Sequence, residues 1–225
     1  MERYRRNIGM LSPQENDQLK NYKVCVIGCG GLGGYIIELL GRLGIGTITA
    51  VDGDIFESSN LNRQILSDAH SLGKSKAFTA KERMLSVNPL ITVHPIAEKF
   101  TRENGKEILA GHHVIVDALD NIESRMILQD ITKELNIPFV HGAIAGWYGQ
   151  VSTVFPEDQT LNIIYSHTAG KGIEQELGNP SFTPSLIASI QVSEVLKILI
   201  GRGNLLRKKI LYINLLDQEY FTIDL

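Results

Sequence analysis

The residues of this chain that could do chemistry fall in a few short runs. Gly28-Cys29-Gly30-Gly31-Leu32-Gly33 contains G-x-G-x-x-G, placed after an apolar run and before residues with helical spacing. In that setting glycines let the backbone turn tightly and approach a phosphate, and the helix start supplies free N–H groups and partial positive charge. Asp52 ends the next apolar run, at a distance from Gly33 that suits ribose hydroxyls. Asp54 puts a second carboxylate beside it, and Asn60-Leu61-Asn62-Arg63-Gln64, Gly73-Lys74-Ser75-Lys76 and Asp117-Ala118-Leu119-Asp120-Asn121 follow. The glycine loop alone means a nucleotide with a ribose, and NAD is its usual ligand. The added arginine, lysines, amides and carboxylates suit a triphosphate better. Phosphate chemistry needs cations for the oxygens and carboxylates for Mg²⁺, whereas hydride transfer needs a stacked ring and a carbonyl partner.

These runs converge only if the elements between them place them on one edge. Lys23–Ile27 and Thr47–Val51 are β-branched and apolar, as strands buried on both faces are. Between them, 32–43 has the helical apolar set Ile36, Leu39, Leu40 and Leu43, stopped by Gly44 and Gly46. Helices are expected over 74–87, near 101–110 and over 121–135, and strands over 90–96, 113–118 and 138–143. Ser12-Pro13-Gln14-Glu15 predicts a short helix with an N-cap and a first-turn proline. Strands alternating with helices make a Rossmann-like, doubly wound, mostly parallel α/β sheet with helices on both faces. In such sheets ligands bind beyond the carboxyl ends of the strands, where these runs fall.

After 145 the pattern changes. Residues 147–155 alternate loosely, 156–181 is polar and Gly-rich, a helix is expected near 184–200, and short strands near 209–214 and 219–224. The expectation is one domain over 1–225: an arm and helix at 1–21, a nucleotide-binding core at 22–145, and a C-terminal mixed or antiparallel extension at 146–225. A crossover loop at about 156–182 belongs to that extension.

Composition narrows the class. The chain has 225 residues, 43% hydrophobic and 21% charged, with a formal net charge of −3. That is ordinary for a soluble protein with a sizeable core, and it offers no bulk positive field for nucleic acid. The first residues, Met1-Glu2-Arg3-Tyr4-Arg5-Arg6, do not read as a secretory signal, and no run of about 18 apolar residues predicts a membrane span. Cys25 and Cys29 are the two cysteines, too few for a disulfide framework or a four-cysteine zinc site. A cytoplasmic location is expected. Both cysteines, and His112-His113, read as packing or structural residues, although a phosphate-loop thiol such as Cys29 could have a lowered pKa.

On Arg3–Arg6, the glycine loop, Val51-Asp52-Gly53-Asp54, Ser59–Gln64, Gly73–Lys76, Leu119-Asp120-Asn121 and Gln191-Val192-Ser193-Glu194-Val195-Leu196-Lys197, the chain resembles the ThiF/MoeB/HesA family, the bacterial relatives of ubiquitin-activating enzymes. The resemblance spans nearly the whole chain. Its most specific element is the Asn-Leu-x-Arg-Gln run after the Asp-x-Asp pair. It implies an ATP-dependent adenylyltransferase: the C-terminal carboxylate of a ubiquitin-like carrier protein ending in Gly-Gly attacks the α-phosphorus, giving an acyl-adenylate and pyrophosphate. It further implies Gly28, Gly30, Gly31 and Gly33 in the phosphate loop and Asp52 on the ribose. Asn60, Arg63 and Lys76 would bind phosphates with Gln64 in support. Asp120 would be the Mg²⁺ carboxylate with Asn121 beside it, Asp54 would share that work, and Arg6 would reach the partner subunit's ATP across a homodimer.

Two departures matter. Where many relatives carry paired Cys-x-x-Cys motifs, this chain reads Asn162-Ile163-Ile164-Tyr165-Ser166-His167, so no zinc is expected. Residues 156–225 hold no cysteine, which argues against a covalent link to the carrier on the crossover loop. That loop could order over a carrier tail or be a plain linker. The alternatives are adenylation of a tRNA threonylcarbamoyl group or of a short peptide, an NAD-dependent oxidoreductase, and a non-catalytic scaffold.

Overall fold

The computed structural model describes residues 2–166 and 177–225. Part of the expected crossover loop and His167 lie outside the described residues. Among the described residues an eight-stranded sheet organises the fold, in the order β3-β2-β1-β4-β5-β6-β7-β8. Strands β1 (Lys23–Ile27), β2 (Thr47–Val51), β3 (Thr92–Ile96), β4 (Val114–Asp117) and β5 (Phe139–Ala145) are parallel. Strands β6 (Tyr148–Val154), β7 (Lys209–Asn214) and β8 (Glu219–Asp224) continue it antiparallel. The C-terminal extension thus adds strands to the same sheet.

Among the described residues the α-helices are α1 (Pro13–Gln18), α2 (Gly31–Leu43), α3 (Lys76–Val87), α4 (Gly105–Leu109), α5 (Ile122–Leu135), α6 (Thr160–Ile164) and α7 (Phe182–Ile200). Successive side chains of a strand point to opposite faces, so β1 feeds two cores. Val24 and Val26 join one with Ile36, Leu40, Ala80, Met84 and Ile187 from α2, α3 and α7. Cys25 and Ile27 join the other with Ile108, Leu109, Leu128, Ile131 and Leu161 from α4, α5 and α6. This burial on both faces is why the strands read as continuous apolar runs.

The helix ends follow local chemistry. Ser12 caps α1 in a reciprocal capping box with Glu15. Ser75 caps α3 and Asn121 caps α5 through their side-chain oxygens. Gly44 ends α2 at φ 101°, in the left-handed region.

Three expectations change. The strand expected from residue 90 begins at Thr92, because Asn88 receives the Leu90 N–H and bends the chain after α3. The stretch expected as loop contains α6, seated by its buried Thr160 and Leu161 and by the Leu161 N–H donating to Gln129 Oε1. Third, α7 is long and apolar enough by length and composition to cross a membrane, contrary to the expectation from its sequence. It packs on the sheet and α2 and buries Gln191 and Glu194 with partners: Gln191 Nε2 donates to the Asp117 carbonyl, and Glu194 Oε2 accepts from Thr153 Oγ1 at 2.6 Å. Its apolarity is that of a core helix.

Candidate nucleotide site

At the carboxyl ends of β1, β2 and β4 a cleft of about 430 Å³ opens. The glycine loop forms its floor. Gly28 has φ 101°, and a Cβ there would stand 2.5 Å from the Ala118 carbonyl oxygen. A Cβ on Gly33 would stand 1.8 Å from the Gly28 carbonyl oxygen, so Gly33 faces the loop itself and does not line the cleft. Gly30 is the N-cap of α2 and brings no side chain to the first turn, leaving backbone N–H groups unclaimed by a cap. Gly31 lies beside the Arg63 side chain, and a Cβ there would stand in ordinary contact with Arg63 Cγ at 3.6 Å.

The carboxylates divide their work. Asp52 lines the cleft, and its two oxygens accept the N–H groups of Cys29 at 2.7 Å and Asp54 at 2.8 Å. It therefore braces the glycine loop and keeps lone pairs for a ligand. Burial raises its pKa above the usual carboxylate value, against the lowering by those two N–H groups. Asp54 meets the Lys76 ammonium at 3.4 Å; the lysine side chain is 10% exposed and the aspartate 60%. Lys76 lines the cleft. Asp120 is exposed in the cleft and accepts from the Asn121 amide at 3.2 Å, while Asn121 Oδ1 caps α5 through the Ser124 N–H.

Arg63 lines the cleft, with its guanidinium tied to the Ser59 carbonyl and Asn62 Oδ1, both at 3.0 Å. Gln64 is buried beneath Gly30, and its Oε1 has no hydrogen-bond partner among the described residues. Asn60 sits in the turn before Arg63. It is buried, takes the Glu57 N–H on Oδ1, and receives the Arg63 and Gln64 N–H groups on its carbonyl. It does not line the cleft, and its place is in the turn that aims Arg63 and Gln64. Arg6 lies outside the cleft, in a shallow hollow with Glu2, Arg5 and Ile8.

Sequence reasoning missed one wall, Glu98-Lys99-Phe100-Thr101, just past β3. The rule that ligands lie beyond strand ends was the available signal. Gly53 permits its approach, since a Cβ there would stand 2.8 Å from the Lys99 N and Cγ. Arg125 and Asn179 also line the cleft and went unassigned. Cys29 is fully buried, and burial, then the Asp52 charge, pushes its thiol well above the ordinary value, which disfavours the reactive thiolate. Burial raises Cys25 likewise. His112 is held by Thr49 Oγ1 and the Leu109 carbonyl, and His113 Nδ1 takes the Lys23 N–H, so both are structural.

Among the described residues no group of three or more His, Cys, Asp and Glu side chains could hold a metal ion by itself. Mg²⁺ commonly binds through one or two carboxylates together with substrate phosphates. Asp120, exposed in a cleft with phosphate-binding features, fits that arrangement.

The ThiF family profile matches residues 4–225. The chain is 32% identical over 228 residues to a SAMP-activating enzyme E1 of Haloferax volcanii, covering 99% of this chain and 84% of that protein. It is 30% identical over 238 residues to a sulfur carrier protein adenylyltransferase of Thermus thermophilus, covering 98% and 85%. Among solved structures, an E. coli MccB complex with ATP superposes with a TM-score of 0.82 at 22% identity, over 100% of this chain and 71% of that one, a likeness of fold.

Proposed function

This chain belongs to the ThiF family and is an ATP-dependent adenylyltransferase, and from that premise we propose that its substrate is the C-terminal carboxylate of a ubiquitin-like carrier protein, released from the first step as acyl-adenylate with pyrophosphate as the other product. The observation that carries the proposal is the charge layout of the cleft. Buried Lys76, Arg63 and the uncapped start of α2 stand around the glycine loop, and carboxylates Asp52 and Asp120 flank them.

That layout answers the difficulty of the reaction. A carrier carboxylate is ionised at pH 7, so no general base is needed; the barrier is an anion approaching a polyanion while charge grows on the leaving pyrophosphate. Fixed cations in a partly desolvated cleft stabilise that charge without reorganising. Arg63 and Lys76 supply them, the glycine-loop N–H groups hold phosphate oxygens, and Asp52 orients the ribose. Mg²⁺, when bound, would neutralise phosphate charge, and Asp120 is the carboxylate to hold it, with Asp54 and Asn121 near. Asn60 acts through the turn it pins. Arg6 is proposed to complete a second protomer's cleft in a homodimer. The relatives' names, a SAMP-activating enzyme and a sulfur carrier adenylyltransferase, support a carrier of the ubiquitin-like type.

The test is ATP–pyrophosphate exchange with purified carriers ending in Gly-Gly. Exchange that requires the carrier and is lost when its last glycine is deleted is the expected result. Exchange driven by a short peptide or a modified tRNA, and by no carrier, would overturn the carrier assignment.

A further inference from the structure

A closed ring of polar side chains lies beneath the cleft. Asp117, the last residue of β4, and His141, within β5, face each other in register, both fully buried. Asp117 Oδ2 lies 2.7 Å from His141 Nδ1. With the carboxylate as acceptor, Nδ1 carries the hydrogen and Nε2 is left to accept. Facing Nε2 are the Tyr165 hydroxyl at 3.3 Å and the Gln150 amide at 3.2 Å. Arg125 donates to that same hydroxyl at 3.0 Å and brings Nε to 3.8 Å from Asp117 Oδ2. The ring therefore runs Asp117, His141, Tyr165, Arg125 and back, tying together two strands, α5 and the residue after α6.

The ring grips one residue of the cleft wall from both sides. Asp117 Oδ1 accepts the Leu119 N–H at 3.0 Å, and the Leu119 carbonyl accepts from Arg125 at 2.6 Å. The next residue is Asp120. We propose that His141, acting through Asp117, is a positioning residue that fixes the Leu119–Asp120 peptide and so aims the Asp120 carboxylate into the cleft. Its relevance to ligand rests on the nucleotide reading above. His141 touches no part of the cleft itself. Without its N–H, the buried carboxylate keeps Arg125 as its charged neighbour at 3.8 Å, and a buried carboxylate so weakly paired is costly. Turning Oδ1 toward Arg125 relieves that cost and releases the Leu119 N–H.

The test compares His141→Leu, which removes the donor, with His141→Asn, whose amide can donate to Asp117 from nearly the same place. Hydrogen exchange at Leu119–Asn121 in the ligand-free protein reads the positioning directly. Calorimetric titration with ATP, with Mg²⁺ and with EDTA, reads its consequence. Removal of a residue that orients a metal carboxylate costs about 10–100-fold in metal affinity, so His141→Leu is expected to lose Leu119 protection and to weaken ATP binding about tenfold in Mg²⁺, leaving the EDTA value unchanged. His141→Asn is expected to restore both. Should His141→Leu not fold, His141→Gln carries the comparison, since its longer amide misplaces the donor and must fail where Asn succeeds. Full Leu119 protection in the donor-less variant, or equal failure of the Asn variant, overturns the proposal. Loss and rescue of protection in a protein that binds no ATP at all would uphold the positioning and overturn the nucleotide reading.

Discussion

Lys76→Met sets stability against activity. The ammonium is nearly buried, and its carboxylate partner Asp54 is mostly in water. Such a half-exposed pair contributes about 1 kcal/mol at most, while holding an ammonium out of water costs several kcal/mol even after relaxation. Methionine keeps the length and apolar stem of the side chain and drops the charge, and Asp54 stays solvated. The balance favours the variant by about 1–2 kcal/mol, which for a chain of this size raises Tm by about 2–8 °C. The same ammonium is one of the fixed cations for the phosphates, and losing such a donor costs about 10²–10³ in rate. The assays are thermal melting of the ligand-free protein and pyrophosphate exchange at saturating ATP. A variant that melts several degrees below wild type, or exchanges within a factor of about three of it, refutes the reasoning that burial of Lys76 is sustained for catalysis.

Arg63→Ala is expected to leave Tm within a few degrees, because the guanidinium is partly exposed and bonded to its own turn, and to lower exchange by about 10³-fold, as for arginines in phosphoryl transfer. If Arg6 acts across a homodimer, mixing inactive Arg6→Ala and Arg63→Ala proteins restores one intact site in each mixed dimer, about a quarter of wild-type activity by random assortment. A mixture as inactive as its components sinks that role, and sedimentation of the wild-type chain as a monomer would do the same. Acid stability depends on Glu38, buried in α2 and paired with Arg42 and Arg83. Burial alone would raise its pKa, but the hydrogen bonds and charges of Arg83 and Arg42 outweigh it, and the folded value is lowered. That stabilisation is present above the unfolded value of about 4.3 and is lost as pH falls through the folded value. A Glu38→Gln variant should therefore show a flatter decline of Tm with acid below about pH 4.5, and an unchanged slope would refute the assignment.

The sequence by itself determined what depends on neighbours along the chain. The continuous apolar strand runs, the helical apolar sets, the cap at Ser12 and the stop at Gly44 are local matters, and the α/β alternation followed from them. The glycine loop, Asp52, Arg63, Lys76 and Asp120 were legible because residue type and spacing carry their chemistry, and the sheet brings those five to one cleft. Tertiary structure decided the rest. Asn60 is buried in a turn where its side-chain oxygen receives the Glu57 N–H, a placement the motif alone does not show. The wall from Glu98 to Thr101 joins the cleft because β3 lies at the sheet edge beside β2 and Gly53 leaves it space. The apolar α7 reads by composition like a membrane span until the sheet face it covers, and the partners of Gln191 and Glu194, are in place. Asp117, His141, Arg125 and Tyr165 form a ring through pairs distant in sequence. Strand order creates those pairs, and buried charge and polarity are tolerated only where the fold completes their hydrogen bonds.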